Sequence, residues 1–184
     1  MTQSHSKVQS IVGVSEGRPD DDFYRTPSSA VEALLKVEEF HGNYIWEPAC
    51  GDGSISEVLR NHGYRVYSTD LIERGYGITG INFLNTLEKP THVITNPPYK
   101  LAQQFVEHGL KVSSGKVAML LKLAFLEGGK RKGMFLRTPL KKVYVFSNRI
   151  TMGRNGDEYK SGMMAFAWFV WDHEYKGEPT IGWL

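Results

Sequence analysis

The sequence has one cysteine, Cys50, among 184 residues. A single cysteine excludes a disulfide framework within the chain and indicates a reducing compartment. No apolar run reaches the roughly 18 residues that a membrane span needs, so no membrane partner is predicted. Residues 1–20 lack the apolar segment and cleavage pattern of a signal peptide. We expect residues 1–20 to form a flexible N-terminal arm.

Metal-ligand patterns are also absent, because the six histidines show no metal-site spacing, and no metal site is predicted.

Acidic residues are missing from the stretch between Lys130 and Arg154. The net charge of the chain is only +2, so the local concentration of positive charge, rather than the total, indicates a negatively charged partner. A basic face that contacts only solvent is the alternative. The basic residues of this stretch are Lys130, Arg131, Lys132, Arg137, Lys141, Lys142, Arg149 and Arg154.

The chain does contain an alternation of helical and strand patterns, which is typical of an α/β domain. Its length and its hydrophobic content of 41% suit one globular domain. Helices are predicted over residues 27–40, 54–61, from 101 onward and 129–136. Strands are predicted over residues 43–49, 65–70, 81–84, 91–95, 116–121, 142–146, 164–171 and 180–184. Because the late strands follow one another without a helix between them, we predict a doubly wound, mostly parallel sheet with an antiparallel hairpin at one edge.

The tetrapeptide Asn96-Pro97-Pro98-Tyr99 directly follows the apolar run at residues 91–95. Two prolines fix two φ angles and cannot continue a sheet ladder, and Asn96 is pushed toward an extended conformation by Pro97. The result is a stiff turn that presents a side-chain amide, backbone carbonyls and a ring face to one point. Such a turn suits a planar exocyclic amine, because the oxygens accept its hydrogens and the Tyr99 ring stacks on its heterocycle.

An earlier segment follows the order strand, glycine turn, helix, strand and acidic residue, which is the layout of a nucleotide site. Gly51 and Gly53 would let the backbone approach a ligand, and Asp70 can accept both hydroxyls of a ribose. The third glycine of the dinucleotide fingerprint is absent. The acids Glu47 and Asp52 would repel a pyrophosphate and favour a cationic ligand. S-adenosylmethionine, which has a ribose, an ammonium and a sulfonium but no phosphate, fits this turn better than NAD does.

The two segments together resemble a known family. Residues 47–53, Glu-Pro-Ala-Cys-Gly-Asp-Gly, followed by the tetrapeptide at 96–99, are similar to the class I S-adenosylmethionine-dependent methyltransferases, above all the DNA adenine-N6 methyltransferases. The opening at residues 21–27 and the stretch Ala-Phe-Ala-Trp-Phe-Val-Trp at 165–171 resemble small phage and prophage members. The resemblance covers residues 21–184 and implies one Rossmann-like domain with a seven-stranded sheet. It also implies a cytoplasmic enzyme of a bacterial or phage-infected cell.

The resemblance implies a role for each residue that matches the family. The residues that it places around S-adenosylmethionine are Tyr24, Thr26, Pro27, Glu47, Ala49, Cys50, Gly51, Asp70, Leu71, Asn82, Phe83 and Asn96. The first three would close over the methionine end of the donor, and Asp70 would hold the ribose hydroxyls. Asn82 stands where the family often has Asp. The residues that it places in catalysis are Asn96, Pro97, Pro98 and Tyr99.

The expected reaction is methyl transfer to the N6 amine of adenine in nucleic acid, with DNA ahead of RNA. Acceptor oxygens on both N–H bonds would disperse the positive charge that develops on the amine, so no strong base is needed. Tyr99 would stack on a flipped or unpaired base. The basic side chains expected to contact phosphates, and thus to give a short or relaxed recognition sequence, are Lys130, Arg131, Lys132, Arg149 and Arg154.

Other acceptors stay open because the tetrapeptide is specific for amine methylation rather than for adenine. Methylation of RNA, at adenine N6 or guanine N2, and methylation of glutamine N5 in a protein are the main alternatives. A nucleic-acid-binding module without catalysis is a third. Cytosine methylation through a thiol nucleophile is rejected, because Cys50 lies in the donor turn rather than in the catalytic loop.

Overall fold

The computed structural model describes residues 23–154, 157–158 and 164–184, so the predicted arm at residues 1–20 lies outside the described residues. The helices are α1 (Ser28–Leu35), α2 (Ser54–Asn61), α3 (Ala102–Val112) and α4 (Gly129–Arg137). The strands are β1 (Ile45–Glu47), β2 (Val66–Ser68), β3 (His92–Thr95), β4 (Lys116–Lys122), β5 (Leu140–Val145), β6 (Gly153–Arg154), β7 (Asp157–Glu158), β8 (Phe166–Asp172) and β9 (Thr180–Trp183).

Seven of these strands form one mixed sheet in the order β2-β1-β3-β4-β8-β5-β9. The pairs β1–β2, β1–β3, β3–β4 and β5–β9 are parallel, whereas β8 runs antiparallel to both β4 and β5. The predicted doubly wound α/β fold with seven strands is therefore confirmed. The antiparallel pair β5–β8 is present, and β9 lies outside it at the edge of the sheet.

The strand order reverses at β1. The chain passes from β1 to β2 on one side, and then returns to place β3 on the other side of β1. In open α/β sheets, ligands bind in the crevice at the carboxyl ends of the strands where such a reversal occurs. The glycine turn follows β1 and Asn96 follows β3, so the fold brings both predicted segments to this crevice.

Apolar side chains cover both faces of the sheet. On one face, Phe105 and Val106 of α3 pack in a cluster with Phe169 and Trp171 of β8. On the other face, the apolar side chains of α1 and α2 pack in a second cluster that includes Trp168. All of β8 from Phe166 to Trp171 is buried, which explains why its sequence is continuously apolar rather than alternating.

Three local predictions were wrong. The first helix ends at Leu35 rather than near residue 40. Its N-cap is Pro27 without a side-chain cap; Thr26, whose hydroxyl makes it the cap that the sequence predicts, instead lies against Asn96. Residues 81–84 do not form a strand, because the Asn82 side chain accepts a hydrogen bond from the Leu84 amide and begins a 3₁₀ turn over Phe83–Asn85.

The predicted span 54–61 of the second helix is confirmed by α2, although Ser54-Ile55-Ser56-Glu57 has the pattern of a capping box and the N-cap is Gly53. Just before this end, the Asp52 carboxylate accepts a hydrogen bond from the Ser54 amide at 3.2 Å. Within the described ranges, we find no helix whose length and apolar content would let it cross a membrane.

Candidate active site

A cavity of about 360 Å³ opens at the carboxyl ends of β1 and β3, which is within the range of roughly 300–1,000 Å³ typical of small-molecule sites. The residues that line it are Phe23, Tyr24, Thr26, Glu47, Ala49, Cys50, Ser54, Ile55, Asp70, Leu71, Ile72, Arg74, Asn96, Pro98, Lys100 and Leu101. Residues of the glycine turn and of the proline turn thus line one cavity.

The Asp70 carboxylate is fixed at the floor of this cavity by two backbone amides. Its Oδ2 accepts from the Gly51 N–H at 2.8 Å, and its Oδ1 accepts from the Ile72 N–H at 2.8 Å. Each carboxylate oxygen has a further lone pair. Asp70 can therefore accept two hydroxyl groups of a ligand without breaking either backbone contact.

The Glu47 carboxyl lies at the end of β1 and is almost completely buried. Ser56 donates a hydrogen bond to it from α2. Burial raises the pKa of Glu47 well above its usual range; the negative charges of Asp70 and Asp52 raise it further, and the hydrogen bonds from Ser56 oppose the shift. A cationic ligand group beside this carboxyl would stabilise its ionised form.

The Cys50 thiol faces the same acidic surroundings. Burial, with the nearby charges of Glu47 and Asp70, raises the pKa of Cys50 to about 12. A thiol with such a pKa is almost entirely protonated at neutral pH, and the thiolate is the nucleophilic form. The structure therefore agrees with the rejection of Cys50 as a nucleophile.

Two aromatic rings lie directly against the glycines of the turn. A Cβ added to Gly51 would be 2.1 Å from Cε2 of Phe23, and a Cβ added to Gly53 would be 2.5 Å from the ring of Tyr76. Both glycines have positive φ angles, +56° and +86°. The guanidinium of Arg74 lies 4.5 Å from the centroid of the Phe23 ring. The glycines thus admit rings of the protein itself, and Phe23 with Arg74 forms part of the cavity wall.

Asn96 directly follows β3 and lines the cavity. Its Nδ2 donates to the backbone carbonyl of Tyr24 and contacts the Thr26 hydroxyl, both at 3.1 Å. Its Oδ1 is buried and has no hydrogen-bond partner within the described part of the chain. A buried polar atom normally has such a partner. The Asn96 oxygen is therefore available to a donor group of a ligand.

The Tyr99 ring packs among aromatic neighbours rather than on the cavity wall itself. Its centroid lies 5.6 Å from that of Tyr24 and 5.9 Å from that of Phe166. The Lys122 ammonium lies 4.6 Å from the same centroid. Because Tyr24 lines the cavity, this aromatic group lies next to the cavity, with Tyr24 between the cavity and Tyr99.

The structure places most, but not all, of the predicted donor-binding residues in the cavity wall. Those that line it are Tyr24, Thr26, Glu47, Ala49, Cys50, Asp70, Leu71 and Asn96. Gly51 lies beneath Phe23, and Pro27 is the N-cap of α1. Phe83 is buried between the rings of Trp46 and Phe105. The structure therefore gives Phe83 a core position.

The predicted nucleic-acid contacts differ in their surroundings. Lys130 and Lys132 are exposed on α4, and Arg149 is exposed on the loop after β5. Arg131 instead donates to the backbone carbonyls of Phe125, Ala124 and Glu127, so its guanidinium holds the loop before α4. The side chain of Arg154 lies outside the described residues. Where the chain is described, no group of His, Cys, Asp and Glu side chains could hold a metal ion.

Sequence reasoning missed several residues at the site, namely Phe23, Ser54, Ile55, Ile72, Arg74, Lys100, Leu101 and Lys122. Lys100 and Leu101 directly follow the tetrapeptide, and Ser54 and Ile55 directly follow the glycine turn, so proximity in sequence was a usable signal. No local signal identifies Arg74 or Lys122, because their place at the site depends on how the loop after β2 and the end of β4 pack.

No protein-family model matches the sequence, and no curated protein matches it. Solved structures do match. One is from Vibrio vulnificus, provisionally described as a modification subunit of a type I restriction enzyme, with 13% identity, a TM-score of 0.61 and coverage of 86% of this chain and 45% of that one. Another, from Listeria monocytogenes, is provisionally described as a class I S-adenosylmethionine-dependent methyltransferase, with 15% identity, a TM-score of 0.60 and coverage of 87% and 65%.

A third structure, from Pyrococcus horikoshii, is provisionally described as an RNA methyltransferase. It has 13% identity, a TM-score of 0.62 and coverage of 81% of this chain and 85% of that one. The chain thus spans less than two thirds of the first two matched structures. At these identities the likeness establishes the fold, which is the Rossmann-like fold of class I methyltransferases.

Proposed function

We propose that the protein is an S-adenosylmethionine-dependent methyltransferase that modifies the exocyclic N6 amine of adenine in nucleic acid, with DNA ahead of RNA. The observation that carries this proposal is the buried Oδ1 of Asn96, which has no hydrogen-bond partner among the residues that the structure describes. This acceptor shares a cavity with the buried acids Glu47 and Asp70. A cation-binding half and an amine-binding oxygen in one cavity suit transfer of a methyl group from a sulfonium to an amine.

The donor half fits S-adenosylmethionine by its charge and hydrogen bonding. Glu47 would pair with the ammonium group, and this contact would compensate for the burial of the carboxyl. Asp70 would accept the two ribose hydroxyls with the lone pairs that its backbone contacts leave available. Leu71 and Ile72 are exposed apolar side chains in the cavity wall, and they would pack against the adenine ring of the donor.

When bound, S-adenosylmethionine would supply an electrophilic methyl carbon on a sulfonium whose S–C electron pair remains with sulfur. Asn96 Oδ1 would accept one N–H of the target amine, and the Pro97 carbonyl would accept the other. These contacts would orient the nitrogen lone pair and stabilise the positive charge that develops on nitrogen. The nitrogen would form the new N–C bond and then release one proton to water, so the chain needs no strong base.

The acceptor half of the site, which is the part beside Asn96 and Tyr99, favours a planar, negatively charged substrate. Tyr99 with Tyr24 and Phe166 forms an aromatic group beside Asn96, and a base stacked on such a ring gains about 1–3 kcal/mol. Lys130 and Lys132 are exposed on α4, which begins soon after β4 ends at the same edge of the sheet. Together these features support a nucleic acid over a glutamine side chain as the acceptor.

The test is transfer of a labelled methyl group from S-adenosylmethionine to unmethylated DNA, to RNA and to protein, followed by digestion of the labelled polymer to nucleosides or amino acids. We expect label in DNA as N6-methyladenine. Label only in protein, or donor binding without transfer to any of the three, would refute the proposal. Label in RNA alone would support the same methyl transfer to an amine, with RNA rather than DNA as the substrate.

A further inference from the structure

The Lys122 side chain lies against the Tyr99 ring, where we expect the target base to stack. The Lys122 ammonium lies 4.6 Å from the centroid of the Tyr99 ring, which is within the distance of about 6 Å at which cations interact with aromatic faces. Such a contact places the ammonium over the ring. A planar group that stacks on this face of Tyr99 must therefore take the place of the ammonium.

The fold holds Lys122 beyond the end of β3. Thr95, the last residue of β3, pairs with Met119 of β4, and β4 continues for three more residues to Lys122. At about 3.3 Å per residue, Lys122 extends about 10 Å past the paired end of β3. Its own partner across the sheet is Phe166 of β8. Lys122 therefore lies at the carboxyl end of β4, at the same end of the sheet as the cavity.

The buried acids and the lysines of the site lie in different parts of it, and Arg74 lies against Phe23 in the cavity wall. Glu47 and Asp70 lie in the wall of the donor half, where they suit a cationic ligand. Lys122 lies against Tyr99, and Lys100, the residue after Tyr99, also lines the cavity. Positive charge beside a stacking ring suits an acceptor that brings a negative charge together with a planar group, and a nucleotide brings both.

We propose that Lys122 is a substrate-positioning residue that leaves the face of Tyr99 when the target base stacks there and binds the phosphate next to that base. This inference rests on the proposed function. The exchange gives the ammonium a contact with the Tyr99 ring in the free protein and with the phosphate in the complex. It also makes stacking of a base on Tyr99 favourable for a nucleic acid and less favourable for a neutral amine.

The first experiment compares the wild type with Lys122→Met and Lys122→Arg on an unmethylated DNA fragment over a range of KCl concentrations. We expect Lys122→Met to lower kcat/KM about tenfold at low salt and to reduce the slope of log kcat/KM against log salt concentration by about one, which corresponds to one lost phosphate contact. Lys122→Arg keeps the charge and the slope. The affinity for S-adenosylmethionine, measured by calorimetry, should stay within about twofold in both variants, which also shows that they fold.

The matched control is Lys111→Met. Lys111 is exposed near the end of α3, at the opposite edge of the sheet from the cavity, so its removal should leave the slope unchanged. An identical slope in the wild type and Lys122→Met would overturn the assignment, as would an equal loss of slope in Lys111→Met.

The second experiment replaces single phosphates around a mapped target adenine with neutral methylphosphonates. We expect one replacement next to that adenine to lower kcat/KM of the wild type about tenfold and to have no further effect in Lys122→Met. Equal losses in the two proteins at every position would overturn the inference. If the wild type itself transfers no methyl group to nucleic acid, the proposed function and this inference both fail, whereas an active wild type with an unaffected Lys122→Met removes the inference alone.

Discussion

The side-chain nitrogen of Asn96 lies 3.1 Å from the backbone carbonyl oxygen of Tyr24. A carbonyl can only accept a hydrogen bond, so this contact requires the NH₂ group of the amide on the Tyr24 side and directs Oδ1 toward the cavity. The segment before α1 thus sets the orientation of the residue after β3. The proposed amine acceptor is fixed before any ligand binds.

Replacement of Asn96 by alanine should reduce methyl transfer far more than donor binding. A polar contact made to developing charge in a transition state is typically worth a factor of about 10²–10³ in kcat, so we expect a loss of at least this size. The Kd for S-adenosylmethionine should change by less than about threefold, because Glu47 and Asp70 remain. Calorimetry and labelled methyl transfer measure the two quantities separately.

Thr26→Val is the control for this prediction. It removes one contact of the Asn96 nitrogen and leaves the Tyr24 carbonyl to orient the amide, so kcat should fall by less than in Asn96→Ala. Asn96→Ala that retains substantial turnover would remove Asn96 from the mechanism.

The contact between Phe23 and Gly51 predicts coupling between two substitutions. Gly51→Ala places a Cβ 2.1 Å from the Phe23 ring and also forces a side chain onto a residue with φ +56°. Gly63→Ala is a matched control, because Gly63 has φ +85° and, apart from its chain neighbours, no described residue has an atom within 4 Å of an added Cβ. We expect Gly63→Ala to cost about 1–2 kcal/mol of unfolding free energy from backbone strain alone and Gly51→Ala to cost more.

In a Phe23→Ala background the excess cost of Gly51→Ala should disappear, which gives a coupling free energy of about 0.5–3 kcal/mol between neighbours. Urea unfolding of the four variants of the cycle measures it. Additive effects would show that Phe23 does not rest on Gly51 in solution.

The sequence predicted the parts of the molecule that depend on local pattern. The bounds of α2, the alternation that produces the sheet and the meeting of the two turns at one cavity all follow from periodicity, glycine and proline. Carboxyl ends of neighbouring parallel strands share one edge of a sheet, so the site could be located before its geometry was known.

Contacts between distant segments were beyond the sequence. Gly51 reads as a residue that admits a ligand, yet a ring from residue 23 lies against it. Thr26 is a good helix cap by composition, but its hydroxyl contacts Asn96 instead, since a tertiary partner competes with the local one. Arg131 belongs to a basic run, and only the structure shows its guanidinium bound to backbone carbonyls.

Glu47 predicts a link between protonation and stability. A carboxyl with a raised pKa binds its proton more tightly in the folded chain than in the unfolded chain, where its pKa is near 4.5. Proton binding by Glu47 therefore stabilises the folded chain at low pH. This stabilisation declines as the pH rises from about 4.5 toward the pKa of Glu47 in the folded chain. Glu47→Gln should remove this decline and make the ligand-free protein more stable than the wild type at neutral pH, as measured by urea unfolding across pH.

The same substitution should weaken donor binding. A hydrogen bond to a charged group is worth about 1.5–3 kcal/mol, so Glu47→Gln should raise the Kd for S-adenosylmethionine about tenfold or more. The wild type should release protons on binding, detected by calorimetry in buffers of different ionisation enthalpy. Asp52→Asn, which changes a carboxylate paired with Arg25, should keep that proton release; a Glu47→Gln protein that also keeps it would contradict the pairing.

Lys116, the first residue of β4, has a structural role, and its removal should destabilise the folded protein. Lys116 pairs at 2.5 Å with Glu38, whose side chain is 3% exposed and also accepts from the Tyr144 hydroxyl. Removal of one partner from a buried ion pair typically costs about 3–5 kcal/mol, so Lys116→Met should lower the free energy of unfolding by about 3 kcal/mol.

Lys141 lies farther from Glu38, at 3.3 Å, and is more exposed. Lys141→Met should therefore cost only about 1 kcal/mol, and Glu38→Gln with Lys116→Met should recover part of the larger loss. Equal costs for the two lysine variants in urea unfolding would mean that Glu38 is not buried against Lys116 in solution.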